Sequence, residues 1–217
     1  MRIGIDDTDS PAGMCTTYLG ALLARKLERA GMPVRDARLV RLNPNVTYKT
    51  RGNAAICLDV KGSTEEIFSM ARALVEDYAD FSCENTNPGI VAVDETPPPG
   101  FYYRAVRDFC TLDEALSILR ESGARYRGYK NGRGLIGATA AVCSTFADPT
   151  YELLAYRLTI PYIDAFLLQN RHQSQRRGRF AYVLACCRDV NVFSHGLCFD
   201  NEQVYKYPRT LVHGPPL

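Results

Sequence analysis

Three carboxylates fall within four residues at Asp6, Asp7 and Asp9, directly after the apolar stretch Ile3-Gly4-Ile5. Residues 2–5 read as a short buried strand, so the acids emerge at its carboxyl end. Charges this close repel one another unless a cation sits among them. Hard oxygen ligands at the end of a strand suit Mg²⁺ carrying phosphates. The plainer alternative is an acidic turn whose Asp and Ser cap the next helix. A turn needs one such residue, however, not three acids in succession.

Four more clusters extend the phosphate reading. Gly13-Met14-Cys15-Thr16-Thr17 leads into a helix, whose free N–H groups and dipole attract anions. Thr16 or Thr17 could hold phosphate, accept it as a nucleophile beside an Asp, or simply cap the helix. Tyr48-Lys49-Thr50-Arg51-Gly52-Asn53 is a basic turn before a strand. It is not a Walker A loop, yet it offers cations, a hydroxyl, an amide and a glycine backbone to a triphosphate. Glu84-Asn85-Thr86-Asn87-Pro88-Gly89 reads as an Asx-rich turn. Lys130-Asn131-Gly132-Arg133-Gly134-Leu135-Ile136-Gly137 carries glycines that permit a ligand to approach the backbone before a helix. Farther on, Arg171, Arg176, Arg177 and Arg179 suit phosphodiester contacts or an exposed basic loop. His172, His195 and His213 are too scattered for a His-dependent site.

The elements that must position these groups follow from periodicity and punctuation. A Leu- and Ala-rich run predicts a helix over 16–30, stopped by Gly31, followed by strands over 34–42 and 53–60. Ser63-Thr64-Glu65-Glu66 is a capping box, and Ile67, Met70, Ala71, Leu74 and Tyr78 continue it at helical spacing. Residues 90–93 read as another buried strand. Pro97-Pro98-Pro99-Gly100 is the sharpest break in the chain and marks a domain boundary. Beyond it, Thr111-Leu112-Asp113-Glu114 opens a helix that stops at Gly123, and the glycine-rich turn 128–137 feeds an Ala-rich helix reaching about Thr145. Residues 150–157 fit strand or helix, and 161–208 are strand-like in patches. The fold class is α+β, with two small α/β-sandwich-like domains over 1–100 and 101–217.

Composition sets the outer bounds. At 217 residues, with 46% hydrophobic and 23% charged side chains, the chain is globular rather than disordered or fibrous. A net charge of +2 gives no bulk argument for nucleic-acid binding, so local clusters must make it. No run approaches the roughly 20 apolar residues of a membrane span. The acidic N-terminus is unlike a signal peptide, so a cytoplasmic protein with no membrane partner is expected. The eight cysteines include no C-x-x-C pair; buried reduced thiols are expected, and no zinc.

Taken in order, Gly4–Ser10, Gly13–Thr17, Thr50–Asn53, Glu84–Gly89, Gly132–Ala138 and Asp148–Arg157 closely resemble the TiaS family of archaeal tRNA(Ile) 2-agmatinylcytidine synthetases. The resemblance covers residues 1–157 well and the remainder loosely. It implies ATP and Mg²⁺ as cofactors, and agmatine and the CAU-anticodon tRNA(Ile) as partners. Such enzymes phosphorylate the C2 carbonyl oxygen of the wobble cytidine and then add agmatine. They have a kinase-like domain, a ferredoxin-like domain, an OB-fold and a zinc ribbon. By this resemblance Asp6, Asp7 and Asp9 are the catalytic and Mg²⁺-binding carboxylates, and Thr16 matches an autophosphorylated threonine. Thr17, Lys49, Thr50, Arg51, Gly52 and Asn53 bind ATP. Asn85, Asn87, Gly134, Gly137 and Asp148 lie near the agmatine site, while Arg171, Arg176, Arg177 and Arg179 contact tRNA. The OB-fold and zinc ribbon have no counterpart in the sequence. A piece of a longer member, or a naturally short relative, is therefore expected, retaining nucleotide binding and losing most tRNA modification. A Mg²⁺-dependent ATPase or small-molecule kinase would use the same acidic and phosphate-binding residues without acting on tRNA. A non-catalytic RNA-binding module built on Arg171–Arg179 would have no use for three clustered carboxylates.

Overall fold

The computed structural model describes residues 1–49 and 52–146 in full, and beyond them the backbone of five strands. β1 (Arg2–Asp6), α1 (Thr16–Arg29), β2 (Val34–Arg41), β3 (Ala54–Val60), α2 (Thr64–Tyr78) and β4 (Gly89–Val93) follow the pattern expected from the sequence closely. They continue into α3 (Gly100–Arg107), α4 (Leu112–Glu121), β5 (Arg125–Gly128) and α5 (Gly134–Val142). The later strands are β6 (Thr150–Thr159), β7 (Tyr162–Asn170), β8 (Phe180–Val183), β9 (Leu197–Asp200) and β10 (Gln203–Lys206). Residues 150–157 are thus strand. An eight-stranded sheet runs β5-β4-β1-β3-β2-β7-β6-β8, and β9 and β10 form a separate pair. Within the eight, β2–β7 and β6–β8 are parallel and the other neighbours antiparallel.

Side-chain alternation lets β1, β3 and β4 be covered between them on both faces. Ile3, Ile5, Ile56, Leu58, Ile90 and Ala92 point to one side, where they meet Leu19, Leu23 and Leu27 of α1 and Ile67, Leu74 and Val75 of α2. Ala55, Cys57, Val91 and Val93 point to the other, against Phe101 and Tyr102 of α3, Ala115 and Leu119 of α4, and Leu135, Ala138 and Val142 of α5. Each fully buried Leu or Ile contributes about 1.5–3 kcal/mol, so burial on two faces holds β1 rigidly at the centre. Its Gly4 lets α5 lie directly on the strand, since a Cβ there would stand 2.4 Å from the Ala138 carbonyl oxygen.

Several expectations change. The Pro97–Gly100 break does not separate two cores: β5 adds to the edge of β4, and α3–α5 share a core with β3 and β4. Pro99 sits at the N-cap of α3, where a helix needs no N–H from it. The N-cap of α1 is Cys15, which makes no side-chain capping bond, so Thr16 and Thr17 are the first two helical residues rather than caps. At Ser63 only half of the box forms, with Ser63 Oγ accepting from the Glu66 N–H at 3.4 Å. Thr111 and Glu114 complete theirs. α5 starts inside the glycine-rich turn and ends at Val142, short of Thr145. Cys57 and Cys143 are buried, which pushes both thiols up to about 12. Among the described residues no helix is long and apolar enough to cross a membrane.

Candidate active site

The carboxyl end of β1 opens into a cleft of about 320 Å³. Asp6, Asp7 and Asp9 line one part of it, and Tyr48, Lys49, Gly52 and Asn53 of the β2–β3 loop line another. Arg133, Ile136 and Gly137 come from the start of α5, and Asp108, Phe109 and Cys110 from the end of α3. Residues far apart in sequence therefore meet because β1 lies between β3 and β4, with α5 laid over it.

The acidic loop is tied down at three points. Arg133 Nη2 and Nε donate to Asp7 Oδ2 at 2.9 and 3.2 Å. The Thr8 hydroxyl donates to Thr16 Oγ1 at 3.0 Å, and the Thr86 hydroxyl donates to the Asp9 carbonyl at 2.7 Å. Asp7 takes a left-handed φ of 58°, a sparsely populated conformation that persists only where its surroundings enforce it. Arg133 also donates to the Asn85 carbonyl at 2.6 Å, and its guanidinium lies 5.0 Å from the centre of the Tyr48 ring. Asn87 accepts from the Asn131 N–H at 3.5 Å and, through its carbonyl, from the Gly134 N–H at 3.0 Å. Asn85, Asn87 and Gly134 thus build the frame behind Arg133. In the opposite wall, Asn53 Nδ2 donates to the Asn43 carbonyl at 2.8 Å, and Lys49 Nζ donates to the Pro44 carbonyl.

Electrostatics follow from this crowding. Burial, then the Asp7 charge, hold the Asp6 carboxyl well above the usual carboxylate range; Asp9 adds to this, while Arg133 acts the other way. Asp7 is also raised by burial, but Arg133 and a hydrogen bond from the Asn87 backbone oppose the rise. The donor set of hard, mutually repelling carboxylate oxygens is one a divalent cation relieves. Among the described residues no three His, Cys, Asp or Glu groups converge as a metal site, and Asp7 pairs with Arg133.

Of the residues singled out in the sequence, Asp6, Asp7, Asp9, Lys49, Gly52, Asn53 and Gly137 share this cleft. Thr16 and Thr17 are buried beneath the acidic loop and do not line it. Thr50, Arg51, Asp148, Arg171, Arg176, Arg177 and Arg179 lie outside the described residues. Gly137 has a packing role: a Cβ there would sit 1.8 Å from Asp6 Oδ2. Gly137→Ala should therefore displace the Asp6 carboxylate or the start of α5 and lower the melting temperature, with the circular dichroism spectrum unchanged. Arg133, Tyr48 and Phe109 carried little or no site signal in the sequence beyond the basic and glycine-rich runs holding the first two.

Comparison with known proteins decides the family. The profile of the TiaS TCKD domain matches residues 2–65 and 58–131, and that of the TiaS FLD domain matches 132–164. The chain belongs to the TiaS family. A TiaS from Methanocorpusculum labreanum, named as a tRNA(Ile) 2-agmatinylcytidine synthetase, is 58% identical over 158 residues, which is 72% of this chain and 38% of that protein. Its counterpart from Pyrococcus horikoshii is 45% identical over 186 residues, 82% of this chain and 42% of that one. This chain thus spans about two fifths of the length of these relatives. The crystal structure of a TiaS complex with tRNA(Ile) and ATP matches with a TM-score of 0.68 and 41% identity, covering 72% of this chain and 39% of that one. A TiaS complex with tRNA(Ile), AMPCPP and agmatine matches at 0.67 and 38% identity over the same shares. The TCKD profile runs past the Pro97–Gly100 break, as does the core shared by α3–α5.

Proposed function

We propose that this chain carries the ATP-dependent chemistry of a tRNA(Ile) 2-agmatinylcytidine synthetase. The observation that carries the reading is a cleft joining the acidic end of β1, Arg133 and a wall of Lys49, Gly52 and Asn53, in a TiaS-family chain whose solved relatives hold ATP, tRNA(Ile) and agmatine. The C2 oxygen of the wobble cytidine takes a phosphoryl group from ATP, which turns a poor leaving group into phosphate. The primary amine of agmatine then adds to C2, sheds a proton, and the C2–O bond breaks as phosphate departs.

The chain's own residues bind and orient in this scheme. Lys49 and Arg133 face a polyphosphate, and Asn53 fixes the loop beside it. Asp6 and Asp9 would hold Mg²⁺ together with phosphate oxygens; the bound ion neutralises charge on the phosphates. The acidic cluster also favours a dicationic amine such as agmatine. Thr16, matching the family's phosphorylated threonine, is reached only when its hydrogen bond with Thr8 opens. The shared core and the change of profile near residue 131 favour an end of the catalytic domain there rather than at 100.

The test is ATP turnover by the purified chain with Mg²⁺, measured with and without agmatine and CAU-anticodon tRNA(Ile). Turnover that rises only when both are present supports the synthetase. Turnover indifferent to both supports a plain ATPase, and failure to bind ATP removes both readings.

A further inference from the structure

The central strand β1 and helix α5 meet well beyond the cleft. Arg2, Gly4 and Asp6 alternate onto the same face of β1, the face that α5 covers. At the cleft end, Gly137 of α5 leaves room for the Asp6 carboxylate. Midway, Gly4 lies against the Ala138 carbonyl. At the far end, Arg2 Nη1 donates to the Val142 and Ser144 carbonyls, both at 2.9 Å. Arg38 Nη1, from β2, donates to the same Ser144 carbonyl at 2.9 Å. Two guanidiniums thus converge on the C-terminal end of α5, where free carbonyls and the negative end of the helix dipole favour donors and positive charge. Arg38 is itself held by Asp36 Oδ2 at 2.6 Å and lies 5.6 Å from the centre of the Phe146 ring.

The sequence of α5 explains why it needs such an anchor. Gly134-Leu135-Ile136-Gly137-Ala138-Thr139-Ala140-Ala141-Val142 has no charged residue, and eight of these nine residues are buried. Small side chains let the helix lie close on β1 but give it shallow ridges, and interlocking ridges are what fix one packed helix against its neighbour. Polar contacts at the two ends therefore set its place along the strand. Arg2 and Arg38 hold one end, and Arg133, bonded to Asp7 and to the Asn85 carbonyl, holds the other. The helix between them is nine residues, roughly 13 Å.

We propose that Arg2 is a positioning residue: by fixing the C-terminal end of α5, together with Arg38, it sets where Arg133 meets the acidic loop. The consequence for ATP rests on the proposed function; the effect on α5 does not.

The first arm of the test is free of ligand: hydrogen exchange read by mass spectrometry on the full chain, comparing wild type, Arg2→Met, Arg2→Lys and Leu74→Ala. Leu74 is buried on the opposite face of the sheet, so its truncation measures general loss of stability. Arg2→Met should quicken exchange at both ends of α5, in residues 133–137 as well as 142–146, and Leu74→Ala should not single out those segments. Arg2→Lys should restore most of the protection, because both Arg2 bonds come from one nitrogen, which an ammonium can replace. Quickening confined to 142–146, or matched by Leu74→Ala, overturns the proposal. If Arg2→Met does not fold, Arg38→Met carries the same expectations. The second arm titrates Mg²⁺-ATP calorimetrically. Arg2→Met should weaken binding by roughly 2–30-fold alone, and by less than about twofold in an Arg133→Ala background. The same loss in both backgrounds overturns the proposal, since distant residues that act independently are additive. Wild type that binds no ATP overturns the proposed function and leaves the exchange arm to decide this one.

Discussion

Arg133→Ala should lower ATP turnover by about 10²–10³-fold, the usual cost of removing one preorganised donor from a charged site. Arg133 holds Asp7 through two nitrogens, braces the Asn85 carbonyl and lies on Tyr48, so one side chain joins the acidic loop, the Asn-rich turn and the β2–β3 loop. Its removal takes away the charge that opposes the repulsion among Asp6, Asp7 and Asp9, and the mostly buried Asp7 carboxyl rises further. The left-handed Asp7 backbone then loses the contact that enforces it. Arg133→Lys should recover little, since an ammonium cannot reproduce the planar fork or lie flat on the ring. A thermodynamic cycle of Arg133→Ala with Asp7→Asn should give a coupling of about 0.5–3 kcal/mol in urea unfolding. Turnover by Arg133→Ala within threefold of wild type would show that the bridge is only scaffolding.

Much of the fold was legible because strong punctuation coincides with strong periodicity. β1, β3 and β4 have apolar runs bounded by Asp, Gly or a capping Ser, and both faces of the sheet demand such runs. β5 was not legible: Arg125-Tyr126-Arg127-Gly128 lies at the sheet edge, largely exposed, and so shows no apolar alternation. α3 hid behind its prolines, which look like a domain break but sit where a helix begins. One core cluster has members on both sides of residue 100. A pairing such as Gly89 with Gly128 is long-range and leaves no local trace. In the site, the acidic cluster announced itself because three like charges after a buried strand are hard to explain otherwise. Arg133 did not, since its partner Asp7 is 126 residues away. Gly137 lines the cleft, and its lack of a side chain also leaves the space that the Asp6 carboxylate occupies.

That tight seat makes Asp6→Asn the second large effect, and its two consequences have opposite signs. Asp6 ends β1, is crowded by α5 at Gly137, and faces Asp7 and Asp9, so the folded state resists its ionisation. A group whose folded pKa is raised stabilises the fold fully below its unfolded pKa, and that contribution is lost as pH rises through the folded value. Wild type without Mg²⁺ should therefore lose stability from about pH 4 upward as Asp6 is forced toward its charged form. Asp6→Asn, nearly the same shape and always neutral, escapes that loss. It should melt several degrees above wild type at pH 7, where each kcal/mol shifts a chain of this size by about 2–4 °C. The difference should shrink toward pH 4, where Asp6 in wild type holds its proton. Mg²⁺ should close the difference from the other side, stabilising wild type and leaving the variant nearly unchanged. The same substitution should cut ATP turnover by at least a hundredfold, because a site that stores charge repulsion until its ligand arrives trades stability for function. Melting curves from pH 4 to 8, with and without Mg²⁺, test the sign. A variant less stable than wild type at pH 7 without metal would mean that the carboxylate is held by attraction, and the crowded acidic cluster would lose its role as a poised cation site.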